Sequence, residues 1–226
     1  NRPDVKIITA EDPVEFNIRG INQCQVRAPI GLTFARILRA MLRQAPNVVL
    51  VGEIRDRETA EIAVQAALTG HLVFSTLHTN DSVSALTRLI DMGVKPFLVA
   101  ASVQAVLAQR LVRVLCPSCR QPTDPQATDL RSIGIDPGSA AETTFYRAEG
   151  CPECKHSGYR GRLGIYELLQ MDRTMREMTF RGEPAVRLRD YARQSGGMST
   201  LVQDGARKVL AGSTTTSELL RVVAAV

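Results

Sequence analysis

Apolar residues in the first half of the chain form three short continuous runs. The first covers residues 5–9, the second residues 48–51 and the third residues 72–77. Short runs of apolar and β-branched residues bounded by turn residues are typical of strands that are buried on both faces. The three runs therefore predict three strands of a buried sheet.

Helical periodicity separates these predicted strands. Residues 32–44 place apolar side chains at spacings of three and four, with arginines on the opposite face, and residues 57–68 repeat this period before Gly70. Two further helices are expected at 82–92 and 96–115. Strands that alternate with helices favour an α/β fold with a mostly parallel sheet.

The composition changes in the second half of the chain. Residues 116–154 are rich in Pro, Gly, Asp, Ser and Thr between two pairs of cysteines, which predicts a loop-rich module. A short strand is expected at 163–168. Helical segments follow near 172–180, 184–194, 199–211 and 216–224. The sequence thus predicts an α/β core over 1–115, a tetracysteine module over 116–165 and a helical subdomain over 166–226.

Polar side chains follow each of the three predicted strands of the core. Glu11, Asp12 and Glu15 come after the first strand, Glu53 after the second and His78 after the third. The carboxyl ends of parallel strands lie at one edge of a sheet, where functional groups gather. A carboxylate there can orient or deprotonate a water that attacks a phosphoryl group, and can bind Mg²⁺ through a water. The histidine can hydrogen-bond such a water, or can be a purely structural histidine.

One part that this chemistry needs is absent. The phosphate-binding pattern G-x-x-x-x-G-K-[ST] does not occur, and the chain contains no Gly-Lys dipeptide. If these residues belong to an ATPase, the loop that binds the β- and γ-phosphates is missing from them.

Arginines form a stripe on the helix predicted at 32–44. Arg36, Arg39 and Arg43 lie on its polar face. They can be a solvated helix face, or they can form salt bridges to a neighbouring subunit and stabilise phosphate charge in trans. The sequence leaves both interpretations open.

Two C-x-x-C pairs, Cys116 with Cys119 and Cys151 with Cys154, are separated by 31 residues. A two-residue gap lets a tight turn direct both sulfurs at one ion, so two pairs can complete a tetrahedral four-thiolate zinc shell. Two redox-active disulfides are the competing interpretation. We favour structural zinc, because nothing in the sequence indicates an oxidising compartment. Cys24 stands alone and is expected to be a small buried residue.

Charge and hydropathy limit the possible partners. The net charge is +5, but only 4% of residues are aromatic, there is no Trp and the positive charges are scattered, so direct nucleic-acid binding is not expected. No apolar run approaches the roughly 20 residues of a membrane span. Any membrane contact is therefore expected to be indirect, through a partner. The chain starts at Asn1 without an export signal, and its start is expected to be a cut.

Four motifs in this order resemble the type II and type IV secretion ATPase superfamily. ITAEDPVE at 8–15 resembles its aspartate box, VLVGEIRD at 49–56 its Walker B box and STLHTND at 75–81 its histidine box. The paired cysteines followed by GYRGRLGIYELL resemble its zinc module. The resemblance spans essentially the whole chain. It is strongest to the type II secretion branch, with the pilus-assembly branch next.

This resemblance implies a RecA-like P-loop NTPase core that binds ATP and Mg²⁺, with Zn²⁺ in the cysteine module. It also implies a hexameric ring at the cytoplasmic face of the inner membrane, in contact with secretion platform proteins. The implied function is ATP hydrolysis coupled to pseudopilus assembly and type II secretion. The alternatives are a type IV pilus motor, or a zinc-pinned protein-interaction module without turnover.

The resemblance also implies roles for individual residues. Glu53 matches the catalytic glutamate, and His78 lies in the histidine box. The carboxylates of the aspartate box, Glu11, Asp12 and Glu15, are expected near magnesium and nucleotide. Arg39 and Arg43 match arginines near the subunit boundary. The phosphate-binding loop is expected upstream of Asn1, so the chain alone is expected to be inactive.

Overall fold

The computed structural model describes residues 1–224, which form two compact units. The first unit comprises residues 1–79, 83–104 and 171–191, and the second comprises 80–82, 105–170 and the described residues from 192 onward. The expected domains, 1–115, 116–165 and 166–226, stay predictions, because a division of the chain into compact units does not test where those domains begin and end. Within residues 1–224, no helix combines the length and the apolar character needed to cross a membrane.

A four-stranded parallel sheet forms the first unit's centre. Its strands are β1 (Ile7–Glu11), β2 (Asn22–Gln25), β3 (Val48–Val51) and β4 (Leu72–Ser75), in the order β2-β1-β3-β4. Val51 lies opposite Ala10 of β1 and opposite Ser75 of β4, so the carboxyl ends of β1, β3 and β4 lie at the same level of the sheet. This sheet confirms the predicted parallel α/β fold and places the three polar clusters at one edge.

Nine α-helices are present in the described residues. They are α1 (Phe34–Leu42), α2 (Arg57–Leu68), α3 (Ser82–Asp91), α4 (Pro96–Ser102), α5 (Ala127–Ser132), α6 (Arg173–Phe180), α7 (Ala185–Gln194), α8 (Leu201–Leu210) and α9 (Thr216–Val223). The Thr33 side chain caps α1 by accepting from the Arg36 amide at 3.3 Å. α1 buries Ile37, Leu38 and Met41, whereas its arginines are exposed. The predicted amphipathic helix is confirmed.

Two antiparallel strand pairs form the frame of the second unit. β5 (Ala105–Leu115) pairs with β8 (Tyr159–Gln170), and β6 (Arg120–Thr123) pairs with β7 (Phe145–Ala148). α5, α8 and α9 contribute to the core of this unit, whose fully buried members include Val112, Ile133, Ile165 and Leu219. The module predicted to be loop-rich therefore contains a strand pair and a helix.

A buried carboxylate connects α9 to β5 in this unit. Glu218 has no exposed side-chain surface and forms ion pairs of 2.7 Å with both Arg113 and Arg221. Burial by itself raises the pKa of Glu218, but hydrogen bonds from Arg221 and Arg113 outweigh it and lower the pKa to about 2. The Arg113 guanidinium also stacks on the Tyr159 ring, 4.1 Å from its centroid. Neither the buried glutamate nor its partners stand out in the sequence.

Two local predictions were wrong. The helix expected over 96–115 ends at Ser102, and Ala105–Leu115 is a strand because it pairs along its whole length with β8. Its Ala, Leu, Gln and Arg residues favour a helix when isolated, but tertiary pairing overrides that propensity. Cys24, expected to be buried, is exposed because it lies on β2, an outer strand of the described sheet.

Candidate functional site

The end of β3 is held close to the two neighbouring strands. The Gly52 amide donates to the Ala10 carbonyl at 2.8 Å, and the Ile54 amide donates to the Thr76 carbonyl at 3.0 Å. A Cβ at position 52 would lie 3.1 Å from the Ala10 oxygen, so glycine lets the chain leave β3 close to β1. Glu53, between these two anchors, is therefore fixed at the shared edge of the sheet.

Glu53 has two basic partners. Its Oε1 lies 2.5 Å from the Arg55 guanidinium and its Oε2 lies 2.9 Å from His78 Nε2, and only 12% of the side chain is exposed. The hydrogen bond from Arg55 is the largest influence and, with His78, holds the pKa of Glu53 below its usual value against the opposing effect of burial. Glu53 is thus an anion at neutral pH. We call Glu11, Glu53, Arg55 and His78 the strand-end cluster.

Glu11 is bound by neutral groups. Its Oε1 accepts from the Thr9 hydroxyl and from Gln23 Nε2, the latter at 2.9 Å. Asp12 and Glu15 follow it and are exposed. Within residues 1–224, none of these three carboxylates shares a hydrogen bond or ion pair with Glu53. They share its edge of the sheet, and their roles with magnesium and nucleotide stay predictions.

The two arginines expected near the subunit boundary, Arg39 and Arg43, lie in the last turn and at the C-cap of α1. Arg39 Nη1 forms an ion pair of 2.6 Å with Glu58 of α2, and both side chains are more than half exposed. Arg43 caps the carboxyl end of α1 and is exposed. The Arg39 pair gives the arginine stripe a structural role within the first unit.

Sequence reasoning missed the specific roles of Arg55 and Asp56. Arg55 is only two residues from Glu53 and carries the opposite charge, which is the one signal in the sequence that could have indicated the pairing. Asp56, the last residue of the Walker B-like motif at 49–56, caps α2 by accepting from the Thr59 amide at 2.8 Å. Of these two residues, Arg55 therefore pairs with the Glu53 carboxylate, whereas Asp56 does not.

The four paired cysteines come together in the second unit, and we call Cys116, Cys119, Cys151 and Cys154 the four-cysteine cluster. Their Sγ atoms all lie within 4.8 Å of one another. Three of the separations are 3.8–3.9 Å. A tetrahedral ion with metal–sulfur distances of about 2.3 Å places its sulfurs about 3.8 Å apart. The described sulfurs therefore fit a closed tetrahedral shell.

Backbone amides surround the Cys154 sulfur. The amides of Cys151 and Gly158 each donate to it at 3.2 Å. Burial by itself raises the pKa of the Cys154 thiol, but these amides and the neighbouring thiols lower the pKa to about 6. Burial instead raises the pKa of Cys119 to about 12. The cluster thus already favours one thiolate, which is the form of cysteine that binds a metal.

Comparison with known proteins decides the family. The family model described as "Type II/IV secretion system protein" matches residues 1–221. The chain belongs to this family. It is 56% identical over 216 residues to "Type II secretion system protein E" of Pseudomonas aeruginosa, covering 96% of this chain and 42% of that protein. It is 49% identical over 223 residues to "Type IV pilus assembly ATPase PilB" of Myxococcus xanthus, covering 97% of this chain and 39% of that protein.

Solved structures agree with this type II/IV secretion family. The pilus retraction motor PilT, determined with bound ADP, matches with a TM-score of 0.67 at 26% identity, covering 96% of this chain and 52% of that one. The ATPase DotB of Legionella pneumophila shares the fold, with a TM-score of 0.66 at 23% identity, covering 98% of this chain and 52% of that one. The predicted secretion-family resemblance and RecA-like fold class are thus confirmed. The chain spans about two fifths of the length of these curated relatives.

Proposed function

We propose that this chain carries the water-orienting edge of an ATP-hydrolysing motor that drives pseudopilus assembly in type II secretion. The observation that carries the proposal is Glu53, whose carboxylate lies at the end of β3 and is held by Arg55 at 2.5 Å and His78 at 2.9 Å. A fixed anion at the carboxyl edge of a parallel sheet can orient the water that attacks a phosphoryl group.

The state of Glu53 favours orientation of the water over removal of its proton. Its pKa is lowered, chiefly by Arg55, so the carboxylate is ionised but is a weaker base than an unpaired glutamate. Its oxygens can accept a hydrogen bond from the water while His78 keeps the side chain in place. Glu11, Asp12 and Glu15 are proposed to face Mg²⁺ through water, and the ion would neutralise charge on the transferring phosphate.

The proposed activity also needs a phosphate-binding loop, which none of the 226 residues supplies. The proposal therefore concerns the extended protein, by which we mean this chain joined to a segment that carries such a loop. The chain by itself is expected to hydrolyse ATP negligibly. Robust ATP turnover by the purified 226-residue chain would contradict the claim that hydrolysis needs an additional phosphate-binding loop.

The assignment to type II secretion rests on relatives of that name at 49–56% identity. A type IV pilus motor is the second candidate, because relatives named for pilus assembly reach 49%. In either case we propose a hexameric ring that is cytoplasmic, peripheral to the inner membrane and docked on platform proteins. Arg39 and Arg43 are proposed to lie near the subunit boundary of that ring.

The four-cysteine cluster is proposed to hold one structural Zn²⁺. Support comes from sulfur separations of 3.8–3.9 Å and from the two amides directed at Cys154. A four-thiolate shell leaves no open position for a reacting water. The metal would therefore stabilise the fold and take no part in hydrolysis.

Substitution of Glu53 by glutamine in the extended protein tests the proposal. Glu53→Gln is expected to lower ATP turnover by about 10²- to 10⁴-fold and to leave nucleotide binding intact. Glu61→Gln is the matched control, because Glu61 pairs with Arg57 on an exposed face of α2. Turnover that survives in Glu53→Gln would assign the role elsewhere. Absent turnover in the unsubstituted extended protein would instead favour a zinc-pinned interaction module without catalysis.

A further inference from the structure

Glu11 differs from the two carboxylates that follow it because its side chain is held in place. Its Oε1 accepts from the Thr9 hydroxyl and from Gln23 Nε2, the latter at 2.9 Å. The side chains of Asp12 and Glu15 are exposed and form no hydrogen bond or ion pair within residues 1–224. A group that is fixed before its ligand arrives loses less conformational freedom on binding. Of the three carboxylates, Glu11 is therefore the preorganised one.

The second carboxylate oxygen of Glu11 has no partner in the described part of the chain. Both bonds go to Oε1, and both donors are neutral. No lysine, arginine or histidine among residues 1–224 forms an ion pair with this side chain. The described residues thus leave its charge unbalanced, whereas Glu53 has two basic partners. An anionic oxygen with open lone pairs is suited to accept from the water shell of a divalent cation.

The pairing of β1 with β2 brings Gln23 to Glu11. Gln23 lies opposite Thr9 in this parallel pair. Thr9 and Glu11 lie on the same face of β1, because side chains alternate along a strand. All three side chains therefore share one face of the sheet. Gln25 lies on that face too, opposite Glu11, but its side chain forms no hydrogen bond within the described residues.

The side-chain amide of Gln23 is oriented by the backbone between β1 and β2. Its Nε2 also donates to the Phe16 carbonyl at 3.0 Å, and its Oε1 accepts from the Ile18 amide at 2.7 Å. One end of a glutamine amide donates and the other accepts, so these two backbone groups direct the donating end toward Glu11. The segment at 16–18 thus fixes Gln23, and Gln23 fixes Glu11.

We propose that Gln23 is a positioning residue that holds Glu11 with its Oε2 available to the water shell of Mg²⁺. The proposal rests on the proposed function, which assigns this ion to the carboxylates at 11, 12 and 15. Gln23 itself touches neither the ion nor the nucleotide. It acts through its bond to Oε1, which restricts rotation of the carboxylate.

Side-chain amide NMR of the 226-residue chain tests the geometric part. Gln23→Met keeps the length of the side chain without its amide, so it identifies the Gln23 signals. Glu11→Gln is expected to shift these signals, because it replaces the carboxylate that accepts from Nε2. Glu58→Gln, in an exposed pair with Arg39, is the control and should leave them in place. Gln23 signals that do not move in Glu11→Gln would overturn the proposal.

Metal affinity of the extended protein tests the positioning role, with Mn²⁺ and ADP as the probe and free Mn²⁺ measured by electron paramagnetic resonance. Gln23→Met is expected to raise the dissociation constant of Mn²⁺ about fivefold, because one hydrogen bond to the carboxylate is lost. Gln25→Met, on the same face of β2, is the matched control and should leave the constant unchanged. In a Glu11→Gln background, Gln23→Met should have no further effect. An unchanged constant in Gln23→Met, or an equal rise in both backgrounds, would overturn the proposal.

The Mn²⁺ measurement does not depend on turnover. An extended protein that binds Mn²⁺ and ADP with the expected pattern but hydrolyses no ATP would refute the proposed function and support the role of Gln23. Normal turnover together with an Mn²⁺ affinity that is insensitive to Gln23→Met would refute the role of Gln23 alone.

Discussion

The four-cysteine cluster and the strand-end cluster show two ways in which a chain can build a site. In the cysteine cluster three of four residues are buried, the sulfurs face one another and backbone amides support them. In the strand-end cluster Glu53 is compensated by Arg55 and His78, which remain largely exposed, and Glu11 is bound by the neutral side chains of Thr9 and Gln23. The four sulfurs fit a closed tetrahedral shell, whereas Glu53 is 12% exposed and its two carboxylate oxygens contact exposed basic side chains. Stability should therefore depend on the first region and activity on the second.

The largest expected effect on stability lies in the four-cysteine cluster. Cys154→Ser removes the sulfur that receives two amides, so zinc content should fall from about one ion per chain to none. Because metal binding in such sites is coupled to folding, the free energy of unfolding should fall by more than about 4 kcal/mol. Elemental analysis and thermal unfolding measure both.

Cys24→Ser is the matched control for that experiment. Cys24 is exposed on β2 and lies outside the cluster, so zinc content and stability should not change. An unsubstituted chain that is fully folded with no metal would contradict the proposed role of the cluster.

Acid should next weaken the buried ion pairs of the second unit. The pKa of Glu218 is lowered from 4.5 to about 2, so its contribution to stability is complete above pH 4.5 and is lost as pH falls toward 2. That contribution is about 3 kcal/mol. Glu218→Gln should unfold more easily at pH 7 and lack this acid-dependent component in denaturant titrations. Glu177→Gln, on an exposed pair with Arg173, should behave like the unsubstituted chain.

In the strand-end cluster, the pH profile of turnover should respond to Arg55. Arg55→Ala removes the largest influence that lowers the pKa of Glu53, so the acid limb of kcat in the extended protein should move to higher pH. The free energy of unfolding should hardly change, since Arg55 is 63% exposed. Arg57→Ala, two residues along the chain, should leave the limb in place. An unmoved limb in Arg55→Ala would show that Glu53 does not control it.

The smallest expected effect on stability is at Arg39. Its pair with Glu58 is exposed on both sides, so Arg39→Ala should lower the free energy of unfolding by less than about 1 kcal/mol. Turnover of the extended protein is a separate measurement for this variant. A large fall in turnover at unchanged stability would support the predicted role near a subunit boundary, and unchanged turnover would leave Arg39 a purely structural residue.

The sequence predicted the parallel sheet and the four-cysteine cluster well for physical reasons. Strands buried on both faces appear as continuous apolar runs, such as Val48–Val51, and a C-x-x-C spacing restricts where two sulfurs can point. Both signals are local. The strand ends converge because parallel strands in register end together, which the pairing of Val51 with Ala10 and with Ser75 confirms.

Long-range pairing was harder to predict. Ala105–Leu115 has residues that favour a helix, and only its pairing with β8, some fifty residues later, makes it a strand. Glu218 is an isolated glutamate in the sequence, and one of its partners, Arg221, is a near neighbour on the same helix. Its other partner, Arg113, lies 105 residues earlier and is reached only when the fold is complete, so no local pattern indicates that this glutamate is buried.

The central claim is that nucleotide is hydrolysed at the shared edge of β1, β3 and β4. Crystals of the extended protein with Mn²⁺ and a non-hydrolysable ATP analogue test it most directly, because the anomalous signal of Mn²⁺ distinguishes the metal from a water molecule. We predict one manganese peak beside the γ-phosphate at this edge, with Glu53 in contact through a single water. Nucleotide and manganese bound at a place where neither reaches Glu53, directly or through water, would contradict the claim.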